Sequence, residues 1–274
     1  MSRISNLIYQ KLSSTKSLAY VVAILIIMLI VGIAADQFLS IKIILVGFFA
    51  TCLLLNIILS HYVFKNITKI KDDYNQLTEF IQLNKRIHPE TILPITRGYA
   101  GSPDFLNIIL DSINDLNPKL IIEASCGVSS IVISDLISQK DIDTQHIALE
   151  HDEKYLNKCQ SKIRSKRSKI IHAPLKDHQI EGKSWKWYDI SKVEFSKKID
   201  LLIIDGPPAH LQDNSRFPAL PLLINHMAET ATIIMDDFDR KAEQRIIKLW
   251  GNKYDFSVEY IPTEKGTGII RLSK

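Results

Sequence analysis

Cysteine is scarce: Cys52, Cys126 and Cys159 are the only three in 274 residues, and no two stand in a CxxC spacing. That argues against a disulfide framework or a thiolate zinc cluster and for a reducing compartment. No GxxxxGK occurs, so a P-loop is excluded; no GxGxxG occurs, which disfavours dinucleotide binding. General basicity is also missing. The formal charge of +4 comes from residues 154–169, which hold seven basic residues and no acid, leaving 27 basic against 30 acidic residues elsewhere. A broad nucleic-acid footprint is therefore not expected. The basic segment reads either as a solvated face or as a contact for anionic lipid headgroups. With 46% hydrophobic and 23% charged residues, disordered and low-complexity classes are out.

Charge is absent over two long stretches. Ser17–Ala35 has nineteen residues without one, and Ile43–Leu59 has seventeen, with Asn56 as its polar interruption. At ~1.5 Å rise per residue, each approaches the ~30 Å hydrocarbon core. A short link of about seven residues separates them, which gives a membrane anchor over residues 1–60, a hairpin of helices at about 17–35 and 43–59. Lys42 at the edge of the second run can snorkel. Arg3, Lys11 and Lys16 precede the hairpin, and Lys65, Lys69 and Lys71 follow it. By the positive-inside rule the N-terminus and everything after the hairpin are cytoplasmic, as in a bacterial-type inner membrane.

Residues 61–88 form an amphipathic stalk helix running on from the second span. Val63, Ile67, Ile70, Tyr74, Leu77 and Ile81 recur at spacings of 4, 3, 4, 3 and 4. This seam suits either a homodimer or packing against the chain's own domain. Pro89 and Pro94 then mark a boundary.

From residue 100 the pattern alternates. Ser102-Pro103-Asp104 opens a helix over Asp104–Asp115. Strand-length apolar runs follow at Leu120–Ala124, His146–Glu150, Lys169–Ala173, Asp200–Asp205 and Thr232–Asp236. Helical patterns between them predict a parallel sheet covered on both faces. Phe256–Ile261 and Ile269–Leu272, around a turn at Pro262–Gly268, predict an antiparallel hairpin. Ligands of such sheets sit at the carboxyl ends of the strands.

Those ends carry the chemistry. After the first strand, Glu123-Ala124-Ser125-Cys126-Gly127 offers small residues and a helix start to an anion. The second strand ends in Glu150-His151-Asp152, where an acid can accept hydrogen bonds from ribose hydroxyls; Asp152 suits a helix cap. The fourth and fifth end at Asp205-Gly206-Pro207-Pro208 and Asp236-Asp237. Three carboxylates at neighbouring strand tips require a cation, a proton or a ligand to balance them.

The order ExxxG (Glu123 to Gly127), Leu149-Glu150-His151-Asp152, Ile204-Asp205-Gly206-Pro207-Pro208, Met235-Asp236-Asp237-Phe238-Asp239-Arg240 and a closing hairpin resembles the class I, Rossmann-like S-adenosylmethionine-dependent methyltransferases over about residues 95–274. The nearest subgroup is one associated with O-methylation of glycans and small molecules. The resemblance implies an α/β fold, doubly wound, with a mostly parallel seven-stranded sheet and an antiparallel C-terminal hairpin. It places Glu123, Ser125, Cys126, Gly127, Glu150, His151, Ala173, Leu175 and Asp205 around S-adenosylmethionine, with Pro174 beside Ala173 and Leu175 at the adenine. Asp205, Asp236 and Asp237 become the catalytic acids, and if a divalent ion such as Mg²⁺ is used, its ligands. Arg216, Arg240 and Tyr188 would meet the acceptor, with Tyr99 and Trp187 as further aromatic rim candidates. Ser125 stands where the family's loop has its first glycine.

Read this way, the chain is a membrane-anchored S-adenosylmethionine-dependent methyltransferase acting on a hydroxyl of a glycan, lipid-linked sugar or small acceptor. His151, His178 and His210 are candidate bases beside the three acids. The rival reading is a non-catalytic membrane scaffold or nucleoside sensor built on the same fold. A nicotinamide enzyme is weakened by the missing glycine fingerprint.

Overall fold

A computed structural model describes residues 22–28, 30–31, 41–87, 93–98 and 100–273. The chain divides into two compact units, Met1–Lys71 and Asp72–Lys274.

In the first unit, residues 22–28 and 30–31 are helical, with Val22, Ile24, Ile26, Ile27 and Met28 exposed. The rest of the first apolar run and the 36–40 stretch of the link lie outside the described residues. Helix α1 runs Ile41–Ile87. Its Ile43–Ile87 portion is, among the described residues, the one helix long and apolar enough to cross a membrane, with mean hydropathy 2.5 in its most apolar window. Within that window the Thr51 hydroxyl donates to Gly47 O at 2.8 Å, so this polar group is satisfied inside its own helix.

The second unit starts inside α1. Leu83 and Ile87 are buried in a cluster with Phe105, Leu106, Ile109 and Leu110 of α2 (Pro103–Leu116). Gln76 Nε2 donates to Asp104 Oδ2 at 2.6 Å. The packing face is thus Gln76, Leu83 and Ile87. Tyr74, Leu77 and Ile81 of the heptad seam remain 68%, 56% and 49% exposed. Within the second unit these three residues do not share the Gln76–Leu83–Ile87 packing face.

After α2 come β1 (Leu120–Ala124), α3 (Val128–Lys140), β2 (Gln145–Glu150), α4 (Glu153–Gln160) and β3 (Ser168–His172). Then β4 (Leu175–Ile180), β5 (Lys183–Tyr188), β6 (Ile199–Ile204), α5 (Ala219–Leu223) and β7 (Met227–Met235) follow. Helix α6 (Lys241–Gly251) leads into β8 (Phe256–Ile261) and β9 (Thr267–Leu272). The main sheet has seven strands in the order β3-β2-β1-β6-β7-β9-β8. β1, β2, β3, β6 and β7 are parallel, while β9 runs antiparallel to β7 and β8.

β1 is buried along its whole length, and alternate residues feed opposite faces. Leu120, Ile122 and Ala124 join one core cluster with Trp187, Phe217 and Trp250, whereas Ile121 joins the cluster under α2 and α3. The expected α/β sheet, with strands near the anticipated positions, is therefore what this unit contains. Between β3 and β6 lies an element the periodicity did not flag: a separate hairpin, β4 paired antiparallel with β5. Its two-residue turn, Glu181-Gly182, has φ of 54° and 76°, the left-handed pair that tight hairpins use.

Candidate active site

Strand order reverses between β1 and β6, and in doubly wound sheets a ligand crevice opens at that switch point. A cleft of about 580 Å³ lies there. Ser125, Cys126, Gly127 and Ser129 line it from the start of α3; Glu150, His151, Asp152 and Tyr155 from the β2–α4 turn; Asp205 and Arg216 from the loop after β6; Asp237 and Arg240 from the loop after β7.

Backbone geometry brings these together. Ser125 N donates to Leu149 O at 3.0 Å, which carries the β1–β2 pairing one step past the strand end. Ser125 then takes φ 90°, a conformation that favours glycine. Glu150 holds the facing turns: Oε2 accepts from Cys126 N at 3.2 Å, and Oε1 from His151 N and Asp152 N at 2.8 and 2.9 Å. An ionised carboxylate has about four acceptor positions, so one remains on Oε2 beside the α3 N-terminus. Asp152 caps α4 by accepting from Tyr155 N at 2.9 Å. Ser102 sits at the N-cap of α2 without a side-chain cap bond; Asp104 Oδ1 accepts Phe105 N at 2.8 Å instead.

Gly206 marks a close approach. A Cβ there would stand 2.5 Å from Tyr188 Oη, 2.7 Å from Ser125 Cβ and 3.2 Å from Ala124 O. Tyr188 itself is fully buried, edge-on to Trp187 and to His151. Tyr188 and Trp187 are thus floor residues beneath the site, not rim aromatics facing an acceptor, because β5 directs both rings into the core. Tyr99 lies outside the described residues.

Four other expected contacts are absent from the cleft lining. Glu123 is buried below the loop, where it accepts from Ser129 Oγ, from Ser130 Oγ at 2.6 Å, and lies 3.0 Å from His146 Nε2. Ser130 Oγ in turn accepts Gly127 N at 3.1 Å. Glu123 therefore orders the start of α3 from beneath. Ala173 and Leu175 miss the cleft because the chain turns into β4, and Leu175, paired with Tyr188, packs on the core. Asp236 is completely buried. The next residue, Asp237, has φ 59°, and this left-handed turn sends Asp237 to the cleft while Asp236 stays beneath.

The acidic trio has a cation, and it is Arg216. Arg216 is 2% exposed. Its Nη2 lies 2.6 Å from Asp237 Oδ2 and 3.4 Å from Asp205 Oδ1. Nη1 donates to Asp236 O at 2.7 Å, and Nε is 3.8 Å from Glu243 Oε1. Arg240 Nη2 takes the other Asp237 oxygen at 2.8 Å, and Lys265 Nζ is 3.6 Å from Asp236 Oδ2. Arg216, which lines the cleft, is therefore fixed by the site's own acids. Burial, then the Asp236 charge, pushes the Asp205 carboxyl well above its usual range, with Arg216 pulling the other way. Burial likewise raises Asp236 and Glu243.

The oxygens of Asp205, Asp236 and Asp237 lie within 4.8 Å of one another, an all-oxygen set of the kind hard cations use. The set does not fit a resident divalent ion, because both Asp237 oxygens already bind guanidinium groups and Arg216 Nη2 stands between Asp237 and Asp205.

Of the candidate bases, His151 and His210 line the cleft. His178 does not; its Nε2 lies 3.1 Å from Tyr188 O on the hairpin. Contact with Cys159 and burial raise the Cys126 thiol above its usual range. Sequence spacing gave no sign of Gly98, Ala100, Gly101 or Lys265, which close the far side of the cleft. Lys265 Nζ donates to Ala100 O at 3.0 Å, a contact between segments 165 residues apart.

No protein-family model and no curated protein matches the chain. Among solved structures it is similar to an SAH-bound methyltransferase of Podospora anserina, at 13% identity over 72% of this chain and 88% of that one, with a TM-score of 0.49. An O-methyltransferase from Bacillus cereus in complex with SAH is similar at 14% identity over 74% and 97%, with a TM-score of 0.49. A methyltransferase from Geobacter sulfurreducens is similar at 11% identity over 73% and 90%, with a TM-score of 0.46.

Proposed function

We propose that the second unit binds S-adenosylmethionine in this cleft and transfers its methyl group to an acceptor hydroxyl. The observation that carries this reading is the convergence, around one cleft of about 580 Å³, of Glu150, the α3 N-terminus and Asp205 at the strand-order switch. The remaining acceptor position of Glu150 suits a ribose hydroxyl, and the free N–H groups of the α3 start suit the carboxylate of the methionine moiety. Asp205, in the lining of the same cleft, suits a role beside the reacting atoms.

The sulfonium methyl arrives activated, so the protein's work is alignment, exclusion of water and removal of one proton. The acceptor oxygen forms its bond to the methyl carbon as the carbon–sulfur bond breaks, leaving a neutral thioether. Asp205, whose carboxyl is raised by burial, takes the hydroxyl proton. Arg216 and Arg240 hold Asp237 alongside through ion pairs at 2.6 and 2.8 Å.

The apolar length of α1 supports attachment to a bilayer, with the lysines that follow favouring a cytoplasmic domain at a bacterial-type inner membrane. An acceptor made at that leaflet, such as a lipid-linked sugar or another hydroxylated glycan or small molecule, fits such an address. The exposed Tyr74–Leu77–Ile81 seam fits a second copy in the same membrane.

The test is calorimetric titration of S-adenosylmethionine into the full chain in lipid nanodiscs, with Glu150→Ala alongside. Micromolar binding that the variant loses supports the reading. A folded wild type that binds nothing overturns it and favours the scaffold alternative.

A further inference from the structure

We propose that Arg216 occupies the place a divalent cation would take, so that Asp205, Asp236 and Asp237 form a carboxylate cluster closed to metal by a side chain of the same domain. Three strand-tip acids with ligand oxygens within 4.8 Å of one another invite a hard cation. Here the guanidinium is buried among them, 2.6 Å from Asp237 and 3.4 Å from Asp205, with backbone anchors at Asp236 O and Asp205 O at 2.7 and 3.1 Å. Glu243 backs it from α6 at 3.8 Å. The planar fork satisfies two carboxylates and two carbonyls at once, which neither a lysine nor a water could do. Asp236 is the residue the fork leaves over. Both its oxygens are buried without a hydrogen-bond partner among the described residues, and the Lys265 ammonium lies 3.6 Å from Oδ2. The unused donors and the spacing for an ion are present, and Arg216 blocks their use. The inference concerns the cleft of the methyl-transfer reading but does not depend on it, since ion uptake is measured without cofactor or acceptor.

The experiment is a Mn²⁺ titration of the full chain in nanodiscs, followed by the loss of the free-ion paramagnetic signal. Wild type is expected to take up no Mn²⁺ that Asp237→Asn abolishes. Arg216→Met, which keeps the aliphatic stem and removes the charge, is expected to bind one equivalent at least about tenfold more tightly than wild type, since an unscreened like charge has been removed. The double variant Arg216→Met/Asp205→Asn is expected to lose it, and Arg216→Lys to stay closed. Stoichiometric uptake by wild type, sensitive to Asp237→Asn, overturns the proposal. So does an Arg216→Met chain with wild-type circular dichroism that takes up none. If Arg216→Met does not fold, Arg216→Gln is read in the same way, and the wild-type arm stands by itself.

Discussion

Glu150 and Cys126 are joined across the mouth of the cleft, the carboxylate of one accepting the backbone N–H of the other at 3.2 Å. The tip of β2 and the loop after β1 are thereby one structural piece. Glu150→Ala should abolish S-adenosylmethionine binding and also destabilise the domain by about 1–3 kcal/mol, because three backbone N–H groups, the Cys126 one buried and the other two partly so, lose their acceptor. Glu150→Gln, which keeps an acceptor oxygen, should fall between. Calorimetry and urea midpoints on the same preparations separate the two effects.

Gly206 has no room for a methyl group between Tyr188 Oη and Ser125 Cβ. Gly206→Ala should cost about 1–3 kcal/mol. Adding Ser125→Gly removes one of the clashing atoms and relieves the φ of 90° at that residue, so the double variant should be more stable than Gly206→Ala alone. A double-mutant cycle of thermal midpoints checks this; strict additivity would contradict the packing account.

Asp135 is buried on α3 with neither oxygen hydrogen-bonded and Arg164 Nε at 3.5 Å. Burial raises its carboxyl from 3.8 to about 6. The folded state keeps a proton that the unfolded chain releases nearer pH 4, so stability falls as pH rises through this window. The full loss is on the order of 2–3 kcal/mol. Asp135→Asn has no proton to release. Its stability relative to wild type should therefore grow between pH 4 and 6 and level off above, as read from urea midpoints across that range.

Asp205→Asn should leave S-adenosylmethionine binding within a few-fold of wild type while lowering methyl transfer by about 100-fold or more, the usual contribution of a positioned base. Wild-type kcat should rise with pH as the raised Asp205 carboxyl ionises, and the variant should lack that rise. The pH profile is the deciding measurement.

Much of the fold was legible because buried parallel strands read as apolar runs of fixed length. Leu120–Ala124 and Phe256–Ile261 coincide with β1 and β8. The β4–β5 hairpin was not legible: its strand Leu175–Ile180 is mostly polar, and the signal was the glycine of Glu181-Gly182 alone. In the site, residue type indicated the strand-tip acids but not the direction in which each side chain points. Asp236 and Asp237 are chemically identical neighbours, and only a left-handed backbone at the second separates floor from cleft. Arg216 was visible as a cation, yet its partners come from two strand tips and a helix distant in sequence, which spacing cannot register.

All three tryptophans, Trp185, Trp187 and Trp250, are buried in the second unit, and the apolar N-terminal run has none. Trp250 donates its indole N–H to Phe217 O at 2.9 Å, one residue from Arg216. Tryptophan fluorescence of the intact chain therefore reports on the α/β domain alone, even against a lipid or detergent background. Loosening of the Arg216 loop would show as a red-shifted indole emission before the sheet itself gives way.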